Sequence, residues 1–517
     1  MNKAISLCLL LTVLVSPAVS QIFPLHPSFN SIIEQANIDS SWIIHTSLKP
    51  VMDEACYPII KHGWAASVAT NKSKVIRHLT SKHFLEYDKD DVYVTLDPTL
   101  DLTALFDASD TAAKGSLFNN WRGLRCAGRL GKQVSFQTDF VEVQTRPVAW
   151  QRQWIDSIDV YPGFGRVKPF QVDAYDFAVS TGSIQYRPVN SLILRVGSER
   201  QFIGNGYRSM LWSDAIFPTP YLQARWIAPS KKWQYSSGFH LLQTLERLPK
   251  GEVPESLFKR KGASVNYLSL KPWQGAELGF FECVIWNMYD SSGTHGPGLG
   301  AYIPVLGVNT LLHAKDTVNN SIVGVNFAQR LHRKVMLYGQ WVLDNIKAHR
   351  SGWQIGCRIF NPGLKGLNFL MEWNHSAPYL YAFESPLQSY SHMQQPVGHP
   401  AGGSLDEWIM RGEYRHHRWR GSVHFSYLEQ EINATSDVMS LPQHFTQTFA
   451  PAPYRALLNS AAELAFVINP AYSLEVVAGY QFRQQRISYN WMDDDLQLTR
   501  LLYFGLRTSI FSRYNDF

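Results

Sequence analysis

The sequence predicts an all-β protein, a transmembrane outer-membrane β-barrel of about 18 antiparallel strands preceded by a small, mainly helical periplasmic segment. Three observations carry this reading. The chain opens with an export signal, many later segments alternate between apolar and polar residues, and short turns alternate with long connections.

The export signal sets the compartment. Lys3 supplies a positive charge, Ala4 to Val15 form an apolar run, and Ala18-Val19-Ser20 are the small residues of a cleavage site. Residues 1–20 therefore read as a signal peptide cut before Gln21. The run is shorter than the ~20 residues that cross a bilayer as a helix. Cys8 could suggest a lipoprotein, but a cut there would fall in the middle of the run. Later apolar stretches, such as Trp42-Ile43-Ile44 and Phe280-Phe281, break within a few residues and supply no membrane helix.

Composition leans toward a barrel. Aromatic residues make up 13% of the chain and tryptophan occurs 16 times, which suits girdles at two membrane interfaces. Charged residues are 17%, low against the ~25% of soluble domains. The alternation is more telling. Leu367, Phe369, Met371 and Trp373 share one face, with Asn368, Glu372 and Asn374 on the other and Leu370 as the exception. Val335, Leu337, Gly339, Trp341 and Leu343 oppose Tyr338 and Gln340; Val323, Val325 and Phe327 oppose Gly324, Asn326 and Ala328. Leu474, Val476 and Tyr480 likewise oppose Glu475 and Gly479. A period of two puts one face in an apolar medium and the other in a polar one. A soluble sandwich shares this pattern, so the number of such segments decides.

Short turns are expected at Leu130-Gly131-Lys132, Pro188-Val189-Asn190, Pro272, His332-Arg333, Asn361-Pro362-Gly363 and Asn469-Pro470. Longer stretches lie between them, at 146–168, 199–220, 248–259, 289–300, 376–406 and 431–458. Outer-membrane barrels place short turns on the periplasmic side and long loops outside. The barrel is expected over residues 91–517. Residues 21–90 carry mixed, partly helical spacing at Ser28 to Ile38, Val51 to Lys61 and Ser73 to Phe84, cut by Pro24, Pro27, Pro50 and Pro58. They are expected as the periplasmic segment or, alternatively, a structureless tether.

One long stretch has the chemistry of a binding loop. In Arg200-Gln201-Phe202-Ile203-Gly204-Asn205-Gly206-Tyr207-Arg208-Ser209-Met210-Leu211-Trp212-Ser213-Asp214, the glycines permit a sharp fold back into the barrel mouth. Asn205, Tyr207, Arg208, Ser213 and Asp214 offer donors, acceptors and an aromatic face, the mixture that sugars require. An Arg208–Asp214 pair that merely stiffens a plug is equally open. This stretch, with Pro218-Thr219-Pro220-Tyr221-Leu222 after it, resembles the fingerprint of Wzi-type capsule-assembly proteins, more closely their Bacteroidetes branch with gliding-motility proteins of the RemB type. Asn120-Trp121-Arg122-Gly123, the Gly131 to Gln144 strand, Tyr175-Asp176-Phe177 and Glu282 agree. The resemblance, from about His45 onward, implies a barrel of about eighteen strands, periplasmic helices and binding of surface polysaccharide. Phe517 suits a terminal barrel strand, although its parity places Arg513 and Asn515 on the same face, whereas the apolar face of the last strand is Leu502, Phe504, Leu506 and Ile510.

Other clusters suggest less. Arg415-His416-His417-Arg418-Trp419-Arg420 reads as a solvated basic rim facing headgroups, and His416 and His417 point to opposite faces of a strand, so no metal site is expected. Asp493-Asp494-Asp495 reads as a turn. Cys56, Cys126, Cys283 and Cys357 are far apart, and packing is at least as expected as disulfides. Elbow, zincin, phosphate-loop and Cys-x-x-Cys signatures are missing, so no enzyme and no cofactor is expected. The net charge of +6 fits contact with lipopolysaccharide, outer-membrane lipid or an acidic polymer and implies no nucleic acid in this compartment. Three functions remain: a polysaccharide-binding assembly protein with capsule-export machinery as partner, a diffusion channel, and a motility or adhesion component.

Overall fold

The computed structural model describes residues 25, 30–35, 44–51, 73–113, 115–249, 258–313, 319–344, 350–383, 385–432, 453–488, 494–509 and 511–517. The expected signal peptide, the helix expected at 51–61 beyond Val51, and Cys56 lie outside the described residues.

Eighteen strands form one closed antiparallel barrel. They are β1 (Val92–Asp107), β2 (Leu117–Leu130), β3 (Val134–Arg146), β4 (Ala174–Val189), β5 (Leu192–Glu199) and β6 (Thr219–Ile227). Next come β7 (Trp233–Arg247), β8 (Phe258–Leu270), β9 (Ala276–Asn287), β10 (Asn320–His332), β11 (Val335–Asp344) and β12 (Arg350–Phe360). The circuit ends with β13 (Leu367–Ser376), β14 (Leu405–His416), β15 (Trp419–Glu431), β16 (Tyr454–Asn469), β17 (Leu474–Ser488) and β18 (Asp495–Thr508). Each strand pairs with its sequence neighbours, and β18 closes on β1 with Leu501 opposite Asp107 and Arg507 opposite Asp101. Closure leaves no unpaired sheet edge, the condition for a sheet to stand in lipid. The expected strand count and the start near Asp91 agree with this circuit.

The two faces follow the alternation. On β6, Leu222 and Trp226 are exposed outward while Tyr221, Gln223 and Arg225 are buried inward. On β13, Phe369 and Met371 face out, and Leu370, Glu372 and Asn374 face in. The connections after even-numbered strands are the short ones, such as 131–133, 190–191, 333–334 and 417–418. All the long connections follow odd-numbered strands and so share the other rim.

The lumen is not empty. The loop 200–218, residues 377–383 and 385–404, residues 44–51 and residues 511–517 fold into it. Met210, Leu211 and Trp212 pack with Tyr381, Tyr390 and Val397 against Phe281, Cys283, Ile285, Ile322 and Val342 of the wall. Those wall residues are apolar at inward positions because the plug they meet is apolar. Burial of one such side chain contributes about 2 kcal/mol, so the plug docks as a core. Lys261 secures it further by donating to the carbonyls of Pro386 (2.8 Å) and Ser389 (2.6 Å).

Three expectations change here. Residues 30–35 form a helical turn and Lys74–Ser81 a helix, but 44–51 do not stand apart in the periplasm. Leu48–Lys49 pairs with Phe202–Ile203, and Ser47 and Thr46 donate to Glu277 of the wall. Polar inward groups such as Glu277 recruit polar chain from wherever it can reach, which residue spacing alone does not reveal. Second, Phe517 is not on the last strand, because the chain turns inward after Thr508 and buries Tyr514, Asp516 and Phe517 in the lumen. Third, the basic run is not a solvated rim throughout. Arg420 has inward parity and is buried against Glu463 (3.2 Å) and Glu475 (2.6 Å), and Arg415 pairs with Glu413 (3.3 Å). Cys126, Cys283 and Cys357 are free thiols on β2, β9 and β12.

Candidate functional site

The loop 200–218 is shaped by its turn chemistry. Ser209 accepts from the amides of Leu211 and Trp212 (3.1 Å each), and its own hydroxyl donates to the Ile203 carbonyl (2.5 Å). Gly204 has φ 144°, a left-handed conformation that L residues rarely adopt. Gly206 serves a different purpose, because a Cβ there would lie 2.5 Å from Glu372 Oε2.

The five residues expected to meet sugar are all inside this plug. Asn205, Arg208, Ser213 and Asp214 are buried and Tyr207 is largely so. Asn205 donates to Thr46 (3.0 Å) and accepts from Asn326 (3.3 Å). The amides of Tyr207 and Arg208 donate to Glu372 (2.7 and 3.0 Å). Arg208 grips Glu407 through two bonds (3.2 and 2.8 Å) and reaches Asp516 (3.1 Å). Asp214 accepts from Tyr514 (2.6 Å), and the Ser213 hydroxyl accepts from the amide of Ala215 (3.1 Å). Arg208 and Asp214 thus take different partners, not each other. Burial pushes the Tyr207 hydroxyl far up, with Asp516 adding to it. Burial also tends to raise Asp516, but Arg208 and then His424 hold its carboxyl well below the usual range. In this arrangement the fingerprint holds the plug, and its Tyr207 also lines a cavity beside the wall.

A second region has room for a ligand. Between the plug and the wall of β14 to β18 and β1 lies a cavity of about 250 Å³. It extends from Trp150 of the helix Ala149–Ile158, on the long-loop rim, to Arg507 near the far end of β18. Tyr161, Tyr503, Asn459 and Gln481 add ring faces and amides to its lining.

Two arginines stand behind the lining of this cavity, next to its residues Trp150 and Asn459. Arg455 on β16 and Arg483 on β17 both have inward parity, and Arg483 stands opposite Asn459 across the strands. The Arg483 guanidinium lies over the Trp150 ring at 4.5 Å. Its Nε and Nη1, and the Nε and Nη2 of Arg455, are buried without a hydrogen-bond partner. The two are near enough to repel each other. Carboxylates nearby are already engaged: Glu407 by Arg208 and His399 (2.8 Å), and Asp516 by Arg208 and His424 (2.7 Å). Buried cations normally have a partner anion, since an uncompensated one costs several kcal/mol. Among the described residues, no carboxylate is left to pair with these N–H groups.

Residue reading missed this pair. Alternation gives both arginines an inward direction, but only the β16–β17 register and the arrival of Trp150 bring them close together behind the cavity. Among the described residues, no group of three or more His, Cys, Asp or Glu could hold a metal ion.

No family model matches the chain, and no curated protein sequence matches it. Solved structures do. Wzi of Escherichia coli, an outer-membrane protein involved in group 1 capsule assembly and a carbohydrate-binding β-barrel, aligns with a TM-score of 0.57 at 13% identity. That alignment covers 94% of this chain and 98% of the other. OprD of Pseudomonas aeruginosa aligns over 80% of this chain and 94% of its own, with a TM-score of 0.42 at 10% identity. OccAB2 of Acinetobacter baumannii gives 80% and 97%, again at 0.42 and 10%. Closed, apolar outside and matched along nearly its whole length by such a barrel, this chain has the fold of an outer-membrane β-barrel.

Proposed function

We propose that this protein binds an acidic surface polysaccharide at the outer end of its plugged lumen, as part of capsule or exopolysaccharide assembly, and that it is not an enzyme. The observation that carries the reading is the Arg455–Arg483 pair, whose buried N–H groups lack partners among the described residues, with Arg483 over Trp150. Guanidinium forks match carboxylates, and an indole face suits the C–H face of a sugar. The likeness in fold to a carbohydrate-binding barrel supports the same class of ligand. Narrower kinship with the Bacteroidetes branch and its RemB-type motility proteins, and a partner in capsule export or motility, rest on the fingerprint residues alone.

A diffusion channel is the second reading, favoured by the length of the cavity along one wall. A strain producing Arg483→Ala tests the first. The polysaccharide reading expects polymer to be shed into the medium while the folded barrel stays in the membrane. Unchanged retention, with a change in single-channel conductance instead, would favour the channel.

A further inference from the structure

In the connection after β9, residues 299–310 fold down the outer wall of the barrel. The parity of β9 establishes this: Phe281 and Cys283 point into the lumen core, whereas Glu282 shares the outward face with exposed Phe280. Glu282 is nevertheless buried, because this loop covers it. Its carboxylate accepts from the amides of Gly307 (2.9 Å) and Thr310 (2.8 Å) and from Asn266 of β8 (3.1 Å). Thr310 also meets Ser321 of β10 (2.7 Å), and Ser264 of β8 donates to the Ala301 carbonyl.

The depth is that of the bilayer. Glu282 is six residues beyond Ala276, where β9 begins. At ~3.4 Å per residue and a tilt of ~40°, this is about 15 Å along the axis, within an apolar band ~25 Å tall. The covering stretch suits that place. From Gly296 to Leu312 there is no Asp, Glu, Lys or Arg, and its outward side chains are apolar, with Leu299 91% and Leu311 78% exposed. Irregular backbone at membrane depth is tolerated only where protein covers or pairs its polar groups. Here the amides of Ala301, Ile303, Val308 and Leu311 bond within the loop, and those of Gly307 and Thr310 bond to Glu282.

We infer that residues 296–312 are a lipid-embedded flap: Glu282 clamps it over a polar patch of the membrane-facing wall, and Leu299, Val305, Leu311 and Leu312 meet outer-leaflet acyl chains. The patch explains the flap. Ser264, Asn266, Glu282 and Ser321 have outward parity, and bare polar groups facing lipid are costly. The occupant of the flap's apolar face is hydrocarbon, since the strands beneath it are the membrane wall.

The test places a bimane label on full-length Leu311→Cys, with Ser292→Cys as the aqueous reference and the parent chain as the labelling blank. In vesicles of brominated phosphatidylcholine, the Leu311→Cys label should lose most of its emission and resist aqueous iodide. Ser292→Cys should do the opposite. Quenching of the Leu311→Cys label by iodide, or by neither quencher, would overturn the proposal, the latter meaning a protein partner covers it. The clamp is read separately, by a short thiol crosslinker between Ser264→Cys and Ala301→Cys. Adding Glu282→Leu should cut crosslinking about fivefold, and Glu282→Gln, which keeps one acceptor, by less. Equal crosslinking in all three, in barrels of unchanged heat-modifiable mobility, would overturn the clamp.

Discussion

Arg208 and Glu407 meet deep in the lumen through two hydrogen bonds, of 3.2 and 2.8 Å, with both side chains fully buried. One belongs to the plug and the other to β14, so this pair locks loop to barrel. Its cluster is shared, since Asp516 from the inward-turned tail approaches the same guanidinium (3.1 Å).

Replacing Arg208 by Ala leaves buried Glu407 and Asp516 with only His399 and His424 as basic partners. Breaking a buried pair in this way costs about 3–5 kcal/mol. The expected outcome is a released plug in an intact barrel, seen as new conductance in planar bilayers with heat-modifiable gel mobility retained. A silent bilayer would remove Arg208 from the lock.

Acid should release the plug only at low pH. Asp516 is ionised below the usual carboxylate range in the folded state, so its contribution is complete above the unfolded value of about 4. It is lost as pH falls through the depressed folded value. Conductance measured from pH 7 to 3 should stay low until about pH 4 and rise below it. An opening near neutrality would contradict the assignment.

The two loop glycines should fail for different reasons. Gly204→Ala strains a φ of 144° and also meets Gln340, while Gly206→Ala drives a methyl into Glu372 and Gln354. Each should destabilise the plug by about 1–3 kcal/mol. Limited proteolysis of folded protein checks this, with faster cutting in loop 200–218 expected for both variants.

Topology can be read with an impermeant maleimide. Ser292→Cys, on a long connection, should label on intact cells, and Lys132→Cys, in a short turn, only after permeabilisation. Gln395, although on a long connection, is unsuitable because it bonds Gly163 and Phe164 inside the plug (2.7 and 2.6 Å). The reverse labelling pattern would invert the barrel.

The barrel was legible because each strand carries its own period of two. Leu367 to Trp373 and Val335 to Leu343 declare their faces without help from any partner, and turn length declares the side. The plug was legible only in its loop 200–218, where Gly204 and the polar run signal a fold back. What that loop meets was hidden, because Thr46, Glu407 and Asp516 lie 159, 199 and 308 residues away from their partners in the loop. Arg208 looked like a ligand residue for the same reason that it is a lock: a fork of donors suits an internal carboxylate as well as an external one. Glu282 was noticed as part of the family resemblance, but only the strand parity turns it outward.

Direct binding of purified protein to the strain's own polysaccharide tests the central claim most directly. The titration should be run with the native polymer and with the same polymer after its carboxyl groups are reduced to alcohols. Binding should be measurable with the native polymer, weaken at least tenfold on reduction, and fall similarly in Arg455→Ala and Arg483→Ala proteins whose barrels remain folded. Equal affinity for both polymers, or undiminished binding in both variants, would contradict an acidic-polysaccharide site at Arg455 and Arg483.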